Sequence, residues 1–194
     1  MWNRSLYPDA MGHVIFGMNT SVDGYVSGAS GGPEDMPAPG DELHQYFNDL
    51  QKSAALSLYG RELYTDMQYW DTDDPNWNAV QKEFATVWRA TPKVVVSTTL
   101  TEVGPNATLI SEDVDAELRR VVAATDGEID VGGPTLAATL SRLGLIDEYR
   151  IYQRPLVLGG GKPFFPAAAP IVLSLLDVEM LPDDTVLLRY QPVR

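Results

Sequence analysis

Two adjacent glycines, Gly132 and Gly133, separate a predicted strand from a predicted helix in the segment 129–136. Glycine lets backbone N–H groups approach a phosphate without interference from a Cβ atom, and a helix N-terminus adds positive potential at the same point. Pro134 suits the first helical position, because the N–H group that proline lacks has no helical partner there. A tight turn between a strand and a helix explains the same residues, so the glycine pair alone leaves both interpretations open.

Two other strand ends carry residues that suit the same ligand chemistry. Gly60 and Arg61 follow a buried apolar run, where glycine permits close backbone approach and the guanidinium can bind a phosphate or stack on adenine. Ser97, Thr98 and Thr99 place three hydroxyl groups at a strand end, which is where α/β sheets bind ligands. Taken alone, each segment is also explained as a surface arginine or a polar strand terminus. Because consecutive parallel strands bring their ends to one edge, the three segments together predict a phosphate-binding edge.

A further glycine-rich segment, 159–163, does not match a nucleotide-binding loop. The P-loop requires the frame G-x-x-x-x-G-K-S/T followed by a helix, and Pro163 prevents a helix after Lys162. We interpret the segment as a turn between strands that contacts a cofactor or a second subunit. The sequence also lacks G-x-G-x-x-G, so an ordinary Rossmann site is not indicated.

Composition narrows the function classes. The chain has 194 residues, no cysteine, two histidines and a formal net charge of −13. A nucleic-acid partner is not expected, because phosphate contacts along a nucleic acid require clustered Lys and Arg. Disulfides and sites of Cys or several His ligands are excluded, and no metal is expected. No run approaches the ~20 apolar residues of a membrane helix and no export signal is found, so we expect a cytoplasmic protein without a membrane partner.

The elements that must position these residues alternate between short β-branched runs and helical patterns, which is typical of an α/β protein. Strands are predicted at 13–18, 54–59, 94–97, 128–131, 149–152, 156–158, 171–176 and 185–190. Helices are predicted to start at Asp41, after Gly60, at Asp74-Pro75, at Ser111 and after Gly133, with Asp41, Asp74 and Ser111 as N-caps. The terminal strands are expected to pair antiparallel, giving a mixed sheet flanked by helices. Residues 1–10 are interpreted as a flexible N-terminal arm and 11–194 as a single domain.

Six ordered motifs carry a family resemblance. They are MNTSVDGY at 18–25, LYGRELY at 58–64, KVVVSTTL at 93–100, VGGP at 131–134, GLIDEY at 144–149 and PLVLGGGKP at 155–163. With these motifs the chain resembles the dihydrofolate-reductase-like family that includes the C-terminal reductase domain of the bifunctional riboflavin-biosynthesis deaminase-reductase. The resemblance extends from about Met11 to Tyr190.

The resemblance implies a three-layer α/β fold in which about eight mostly parallel strands form the sheet and NADPH lies across the strand ends. Gly60 and Arg61 are then expected at the adenosine-side phosphates, and the segment 97–99 beside the adenosine 2′-phosphate. The turn 132–136 is expected at the pyrophosphate, and the segment 19–24 beside the nicotinamide and the substrate. The cofactor-binding residues implied are Thr20, Gly24, Gly60, Arg61, Ser97, Thr98, Thr99, Gly132, Gly133, Pro134, Thr135 and Leu136.

The chain departs from the family pattern at three points. Thr98 stands where many relatives carry an arginine that pairs with the 2′-phosphate, so NADH is not excluded as a cofactor. Val131 precedes the glycine pair in place of the glutamate frequent in riboflavin-pathway reductases, which weakens the case for that exact substrate. The deaminase step requires Cys ligands for zinc, and a chain without cysteine cannot perform it.

The resemblance also suggests where a catalytic acid lies. Dihydrofolate reductases use a carboxylate on the helix before the Gly-Arg strand, and the matching position here falls near His44, which can protonate a ring nitrogen or bind a substrate anion. A solvent-facing histidine explains His44 equally, while Asp23 and Asp41 are the rival carboxylates and Asp41 is better explained as a cap. The expected function is an NADPH-dependent reductase of a pterin- or pyrimidine-like molecule, working as a homodimer. The alternative is a dinucleotide-binding sensor or scaffold dimer without turnover.

Overall fold

The structure is a computed structural model that describes residues 12–166 and 170–194, so the N-terminal arm predicted at 1–10 lies outside the described residues. The described strands are β1 His13–Thr20, β2 Tyr25–Ser27, β3 Ala54–Gly60, β4 Lys93–Val96, β5 Ala107–Ile110, β6 Glu128–Gly132, β7 Glu148–Gln153, β8 Lys162–Pro163, β9 Leu173–Leu181 and β10 Thr185–Pro192. The α-helices are α1 Asp41–Ser53, α2 Arg61–Met67, α3 Ala79–Ala90, α4 Val114–Ala124 and α5 Pro134–Arg142.

Eight of these strands form one twisted sheet in the order β5-β4-β3-β6-β1-β7-β10-β9. Strands β1, β3, β4, β5, β6 and β7 pair in parallel with their neighbours. The terminal strands β9 and β10 are antiparallel to each other, and β10 is antiparallel to β7. The mostly parallel eight-stranded sheet predicted from the sequence is therefore confirmed, and it aligns the carboxyl ends of six strands along one edge.

Alternating side chains bury both faces of the sheet. On one face Ile129 and Val131 of β6 pack with Leu118 of α4 and Leu140 of α5 in the main core. On the other face α1 packs through Leu43 against Tyr152 and Leu187, while Tyr59, Tyr64 and Val95 form a third cluster near α2. The strands thus lie between two helical layers, as expected for a sheet of parallel strands joined by helices.

Three predicted helix caps are wrong. Helix α1 follows Gly40 as its N-cap, and the Asp41 carboxylate instead accepts a hydrogen bond from Asn78 Nδ2 at 2.8 Å. Helix α3 begins at Ala79 rather than near Asp74, because Asn78 and Gln81 form a reciprocal capping box there.

The other two residues predicted as caps, Asp74 and Ser111, are not the N-caps of their helices. Asp74 closes a turn by accepting from the Asn76 N–H group, a local hydrogen bond that competes with helix formation. Helix α4 begins at Val114, after Asp113 in a left-handed conformation with φ 46°, so Ser111 lies outside it. At Asp74 and Ser111, a local hydrogen bond or turn makes the helix begin later in the chain than the first residue that could cap it.

The strand predicted at 156–158 is also wrong. This segment forms an irregular connection in which the Leu158 and Gly159 N–H groups donate to the Asp23 carboxylate at 3.1 and 2.7 Å. Strand β9 begins at Leu173 rather than 171 and continues to Leu181. Strand β5 and the short β2–β8 pair were not predicted, because their two to four residues carry little periodic signal. Within the described residues, no helix is long and apolar enough to cross a membrane.

Candidate functional site

A cavity of about 1210 Å³ opens at the carboxyl ends of β1, β3, β4 and β6. Pockets for drug-sized ligands measure roughly 300–1,000 Å³, so this cavity has room for a ligand larger than that. It brings together most of the residues predicted to bind a cofactor. Those that line it are Gly60, Arg61, Ser97, Thr98, Thr99, Gly133, Pro134, Thr135 and Leu136.

Three other predicted residues do not line the cavity. A Cβ atom on Gly132 would lie 2.6 Å from side-chain atoms of Leu63 and Tyr59, so this glycine is required by core packing. Gly24 occupies a turn with φ +86°, and its N–H group donates to the Ser21 carbonyl. Thr20 is fully buried at the end of β1. Each therefore has a structural role in the wall behind the cavity.

The N-terminus of α5 is the most direct anion site in the wall. Gly133 adopts φ +100° immediately before Pro134, a backbone conformation that L side chains rarely adopt. No side chain caps this helix, and the N–H groups of Thr135 and Leu136 belong to the first turn, where the helix supplies no acceptor. A Cβ atom on Gly133 would meet only Leu63 Cβ, at 3.9 Å, so the space in front of the turn is not filled by protein.

Arg61 adds a partly exposed positive charge to the same wall. It is the first residue of α2, its side chain is half exposed, and Glu62 Oε1 lies 3.6 Å from its Nη2 atom. A partly solvated guanidinium next to an uncapped helix N-terminus can bind a phosphate group through both charge and hydrogen bonds. Gly60, Arg61 and the α5 turn thus fit the phosphates of a dinucleotide.

Ser97 differs from the hydroxyl donor expected at the end of β4. It is buried, and its Oγ atom accepts hydrogen bonds from the N–H groups of Thr99 and Leu100 at 3.1 and 3.0 Å. The serine therefore fixes the turn after β4. Thr98 and Thr99 are exposed on that turn and line the cavity, so their hydroxyl groups are the ones presented to a ligand.

The opposite end of the cavity lies at β1 and β7. The residues at this end were not all predicted from the sequence, and Arg154 was not considered. Arg154 follows β7, lines the cavity and is only 5% exposed, yet its Nε and Nη1 atoms have no hydrogen-bond partner. Asn19 Oδ1 and Ser27 Oγ, from residues that also line the cavity, are buried and unpartnered as well. A polar residue before Pro155 has no distinctive signature, so only the fold reveals this cluster.

An ion pair spans the side of the cavity. Lys162 Nζ in β8 lies 2.5 Å from Glu62 Oε2 in α2, and both residues line the cavity. This hydrogen bond lowers the pKa of the Glu62 carboxyl group. The glycine-rich turn before β8 is thereby connected to the helix that carries Arg61. Asp66 also lines the cavity, and partial burial raises the pKa of its carboxyl group.

The two residues predicted as catalytic lie outside the cavity wall. The His44 ring packs against Trp70 and Phe84, with centroid distances of 5.9 and 5.5 Å, and Trp70 lies in the wall. Burial lowers the pKa of His44, which favours the neutral imidazole. The pKa of Asp23 is lowered by the Ser21 hydroxyl and by the N–H groups of the segment 158–159, so this carboxylate stays charged and holds that connection.

The chain is similar to several known proteins in sequence and in structure. The chain is 30% identical over 156 residues to the uncharacterized protein YyaP of Bacillus subtilis strain 168, covering 78% of this chain and 79% of that protein. A putative riboflavin biosynthesis protein from Shewanella sp. PV-4 superposes with a TM-score of 0.70 at 23% identity, covering 94% and 99% of the two chains.

Two further solved structures share the fold. Dihydrofolate reductase from Enterococcus faecalis, complexed with NADP(H) and RAB-propyl, gives a TM-score of 0.61 at 13% identity, covering 95% of this chain and 99% of that one. The Thermotoga maritima deaminase/5-amino-6-(5-phosphoribosylamino)uracil reductase gives 0.66 at 15% identity, and the match covers 94% of this chain but 57% of that protein. The model of the RibD C-terminal domain matches residues 12–187. The chain therefore belongs to the RibD C-terminal domain family.

Proposed function

We propose that this chain is a reductase that uses NADPH, and also accepts NADH, to reduce a small pterin- or pyrimidine-like heterocycle. The observation that carries the proposal is the cavity at the carboxyl edge, where Arg61 and the α5 N-terminus face one volume of about 1210 Å³. Membership of the RibD C-terminal domain family supports it. So does the fold shared with the Enterococcus dihydrofolate reductase, whose structure contains NADP(H).

Each part of the cavity wall has a distinct role in this proposal. Arg61 and the N–H groups of Thr135 and Leu136 bind the phosphates of the dinucleotide, and Thr98 and Thr99 bind its adenosine side. The hydroxyl group of Thr98 can hydrogen-bond to either a ribose or a phosphate, which is why the proposal includes NADH beside NADPH. When bound, the nicotinamide supplies a hydride to the substrate.

The substrate occupies the end of the cavity near Asn19 and Ser27. Adjacent strands lie ~4.8 Å apart, so β4 and β7, four positions apart in the sheet, are separated by about 19 Å along this edge. The phosphate-binding residues are at β3, β4 and β6, which leaves the β1–β7 end for the reacting ring. Wall residues such as Met18 and Trp70 exclude water from that end.

Asp66 is the proposed proton donor in preference to His44. Its carboxyl group lines the cavity and has a raised pKa, which keeps a larger fraction protonated near neutral pH. His44 does not line the cavity and packs against Trp70, which does. Asp23 keeps the role of a charged anchor for the connection 158–159.

We also propose that the chain forms a homodimer through strand β9. This edge strand of the sheet exposes Leu175, Leu176, Val178 and Met180, whose exposures range from 44% to 67%. A long apolar edge strand left open to water would promote aggregation, and pairing with a second copy covers it.

The test of the function combines binding with turnover. Titration with NADPH and with NADH is expected to give saturable binding of each, and oxidation of NADPH is then followed with dihydropterin and aminouracil acceptors. Binding without oxidation of NADPH by any acceptor would favour the alternative of a dinucleotide-binding sensor. Absence of binding of either dinucleotide would overturn both proposals.

A further inference from the structure

The guanidinium of Arg154 is a buried charge whose negative partner is incomplete. Its side chain is 5% exposed, and the nearest described carboxylate oxygen, Asp183 Oδ2, lies 3.7 Å from its Nη2 atom. That oxygen already accepts a hydrogen bond from the Gly40 N–H group at 2.7 Å. Two of the guanidinium nitrogens, Nε and Nη1, have no hydrogen-bond partner. Burial of a cation costs free energy unless it is paired, so a missing partner requires an explanation.

A second buried arginine, four residues earlier in β7, has hydrogen-bonded partners for its guanidinium. Arg150 of β7 is 9% exposed, and its Nε atom lies 2.7 Å from Glu148 Oε1. Glu128 lies 3.9 Å from its Nη2 atom. The fold thus supplies Arg150 with a carboxylate oxygen at 2.7 Å, whereas the nearest described one to Arg154 lies at 3.7 Å. The difference between them is that Arg154 lines the cavity.

The surroundings of Arg154 define the ligand that completes it. Its backbone N–H group donates to the Thr20 carbonyl at 2.7 Å, which fixes Arg154 beside the end of β1. Asn19 Oδ1, Thr20 Oγ1 and Ser27 Oγ are buried without partners in the same part of the structure. A group bound there meets one cation together with amide and hydroxyl groups, which suits an oxyanion with neighbouring polar atoms.

Charge in the wall favours a ligand group with a single negative charge beside Arg154. Lys162 is paired with Glu62, and Glu34 adds negative charge to the same wall. A doubly charged phosphate near Arg154 would face these carboxylates with one cation for support. A carboxylate is planar, singly charged and matches the geometry of a guanidinium.

We infer that the substrate of this chain carries a carboxylate, and that Arg154, assisted by the Ser27 hydroxyl group, binds it at the β1–β7 end of the cavity. The inference rests on the proposed function for the identity of the ligand as substrate. Arg154 thereby selects acidic substrates against neutral ones, because a neutral isostere leaves the buried guanidinium unpaired. The net charge of −13 makes this local cation necessary for an anion to enter.

The test uses benzoate and its neutral isostere benzamide as probes on the unmodified protein. Isothermal titration is expected to show benzoate binding at least about tenfold more tightly, the effect of one hydrogen-bonded charge pair. Inorganic phosphate at equal concentration is expected not to displace benzoate. Equal affinities for benzoate and benzamide, binding of neither, or displacement by phosphate would overturn the carboxylate site.

Two substitutions separate ligand binding from a structural role. Arg154→Met keeps the length of the side chain and removes the charge, so the preference for benzoate is expected to disappear. Because the charge has only the 3.7 Å contact with Asp183 when no ligand is bound, the same change is expected to raise the Tm of the free protein by about 2–4 °C. The matched control, Arg150→Met, removes one of the two arginines that donate hydrogen bonds to Glu148 and is expected to lower Tm. A fall in Tm for Arg154→Met with unchanged benzoate binding would assign Arg154 to a structural contact with Asp183.

NADPH titration of the same samples keeps this inference distinct from the proposed function. Arg154→Met is expected to bind NADPH within about twofold of wild type, because the proposed phosphate-binding residues follow β6 and β3, two and three positions from β7 in the sheet. NADPH binding without discrimination between benzoate and benzamide would overturn the carboxylate site alone. Discrimination lost in Arg154→Met, in a protein that does not bind NADPH, would overturn the reductase proposal alone.

Discussion

Substitution of Gly133 by alanine is expected to damage both stability and cofactor binding, for two separable reasons. Its φ of +100° is a backbone conformation that an L side chain adopts only with strain, which costs roughly 1–3 kcal/mol. The new Cβ atom makes no clash, since Leu63 Cβ at 3.9 Å is its nearest neighbour. It instead occupies the space through which a phosphate reaches the α5 N-terminus. Loss of one charge-assisted hydrogen bond there weakens NADPH binding roughly 10- to 150-fold.

Gly144→Ala is the matched control for the backbone effect. Gly144 also has positive φ, at +70°, it lies just after α5, and a Cβ atom there meets nothing within 4 Å. Both variants are expected to lose stability in chemical denaturation, by roughly 1–3 kcal/mol. Only Gly133→Ala is expected to lose NADPH affinity in isothermal titration. Equal NADPH affinity in the two variants would refute the assignment of the α5 turn to a phosphate.

Three other changes test the remaining parts of the account. Asp66→Asn is expected to lower kcat at least about tenfold. It is also expected to abolish the fall in kcat that the wild type shows as pH rises through the pKa of its catalytic acid. His44→Gln is expected to leave the dependence of kcat on pH unchanged. Burial raises the pKa of Asp130 from 3.8 to about 6, so the folded state binds this proton more tightly than the unfolded state. Asp130→Asn is therefore expected to be more stable than wild type at pH 7 by up to ~3 kcal/mol in urea denaturation, and the gain should vanish as pH falls through 6 towards 4. Val178→Glu with Met180→Glu is expected to convert a dimer into a monomer in light scattering, and a wild-type monomer would contradict the proposed interface.

The order of the main elements was predictable because their periodicity is strong. Apolar runs such as that of β4 and the 3.6-residue stripe of α3 indicate type and approximate position without reference to the rest of the chain. The sheet edge proposed to bind the cofactor was predicted from Gly60, Arg61 and Gly133, because parallel strands bring their carboxyl ends together. These predictions depended on local patterns and on one general rule of sheet topology.

Features that depend on contacts distant in sequence were not predictable. The segment 156–158 has the composition of a strand, but the Leu158 and Gly159 N–H groups donate to the Asp23 carboxylate and the Leu156 N–H group donates to the Arg154 carbonyl, in place of strand pairing. Gly132 was predicted to bind the cofactor. In the structure, the side chains of Leu63 and Tyr59 leave no room for a Cβ atom at this position. Arg154 could not be singled out in the sequence, because what distinguishes it is that Nε and Nη1 have no hydrogen-bond partner in the folded chain.

Titration of NADPH against wild type and Arg61→Met tests the central claim most directly. The account predicts saturable binding of one NADPH per chain, weakened roughly 10-fold or more by Arg61→Met because a phosphate loses its guanidinium. It also predicts that rising salt weakens binding to the wild type more than to the variant. No heat of binding to the wild type, or the same Kd and salt dependence in both proteins, would contradict a dinucleotide site at this edge of the sheet.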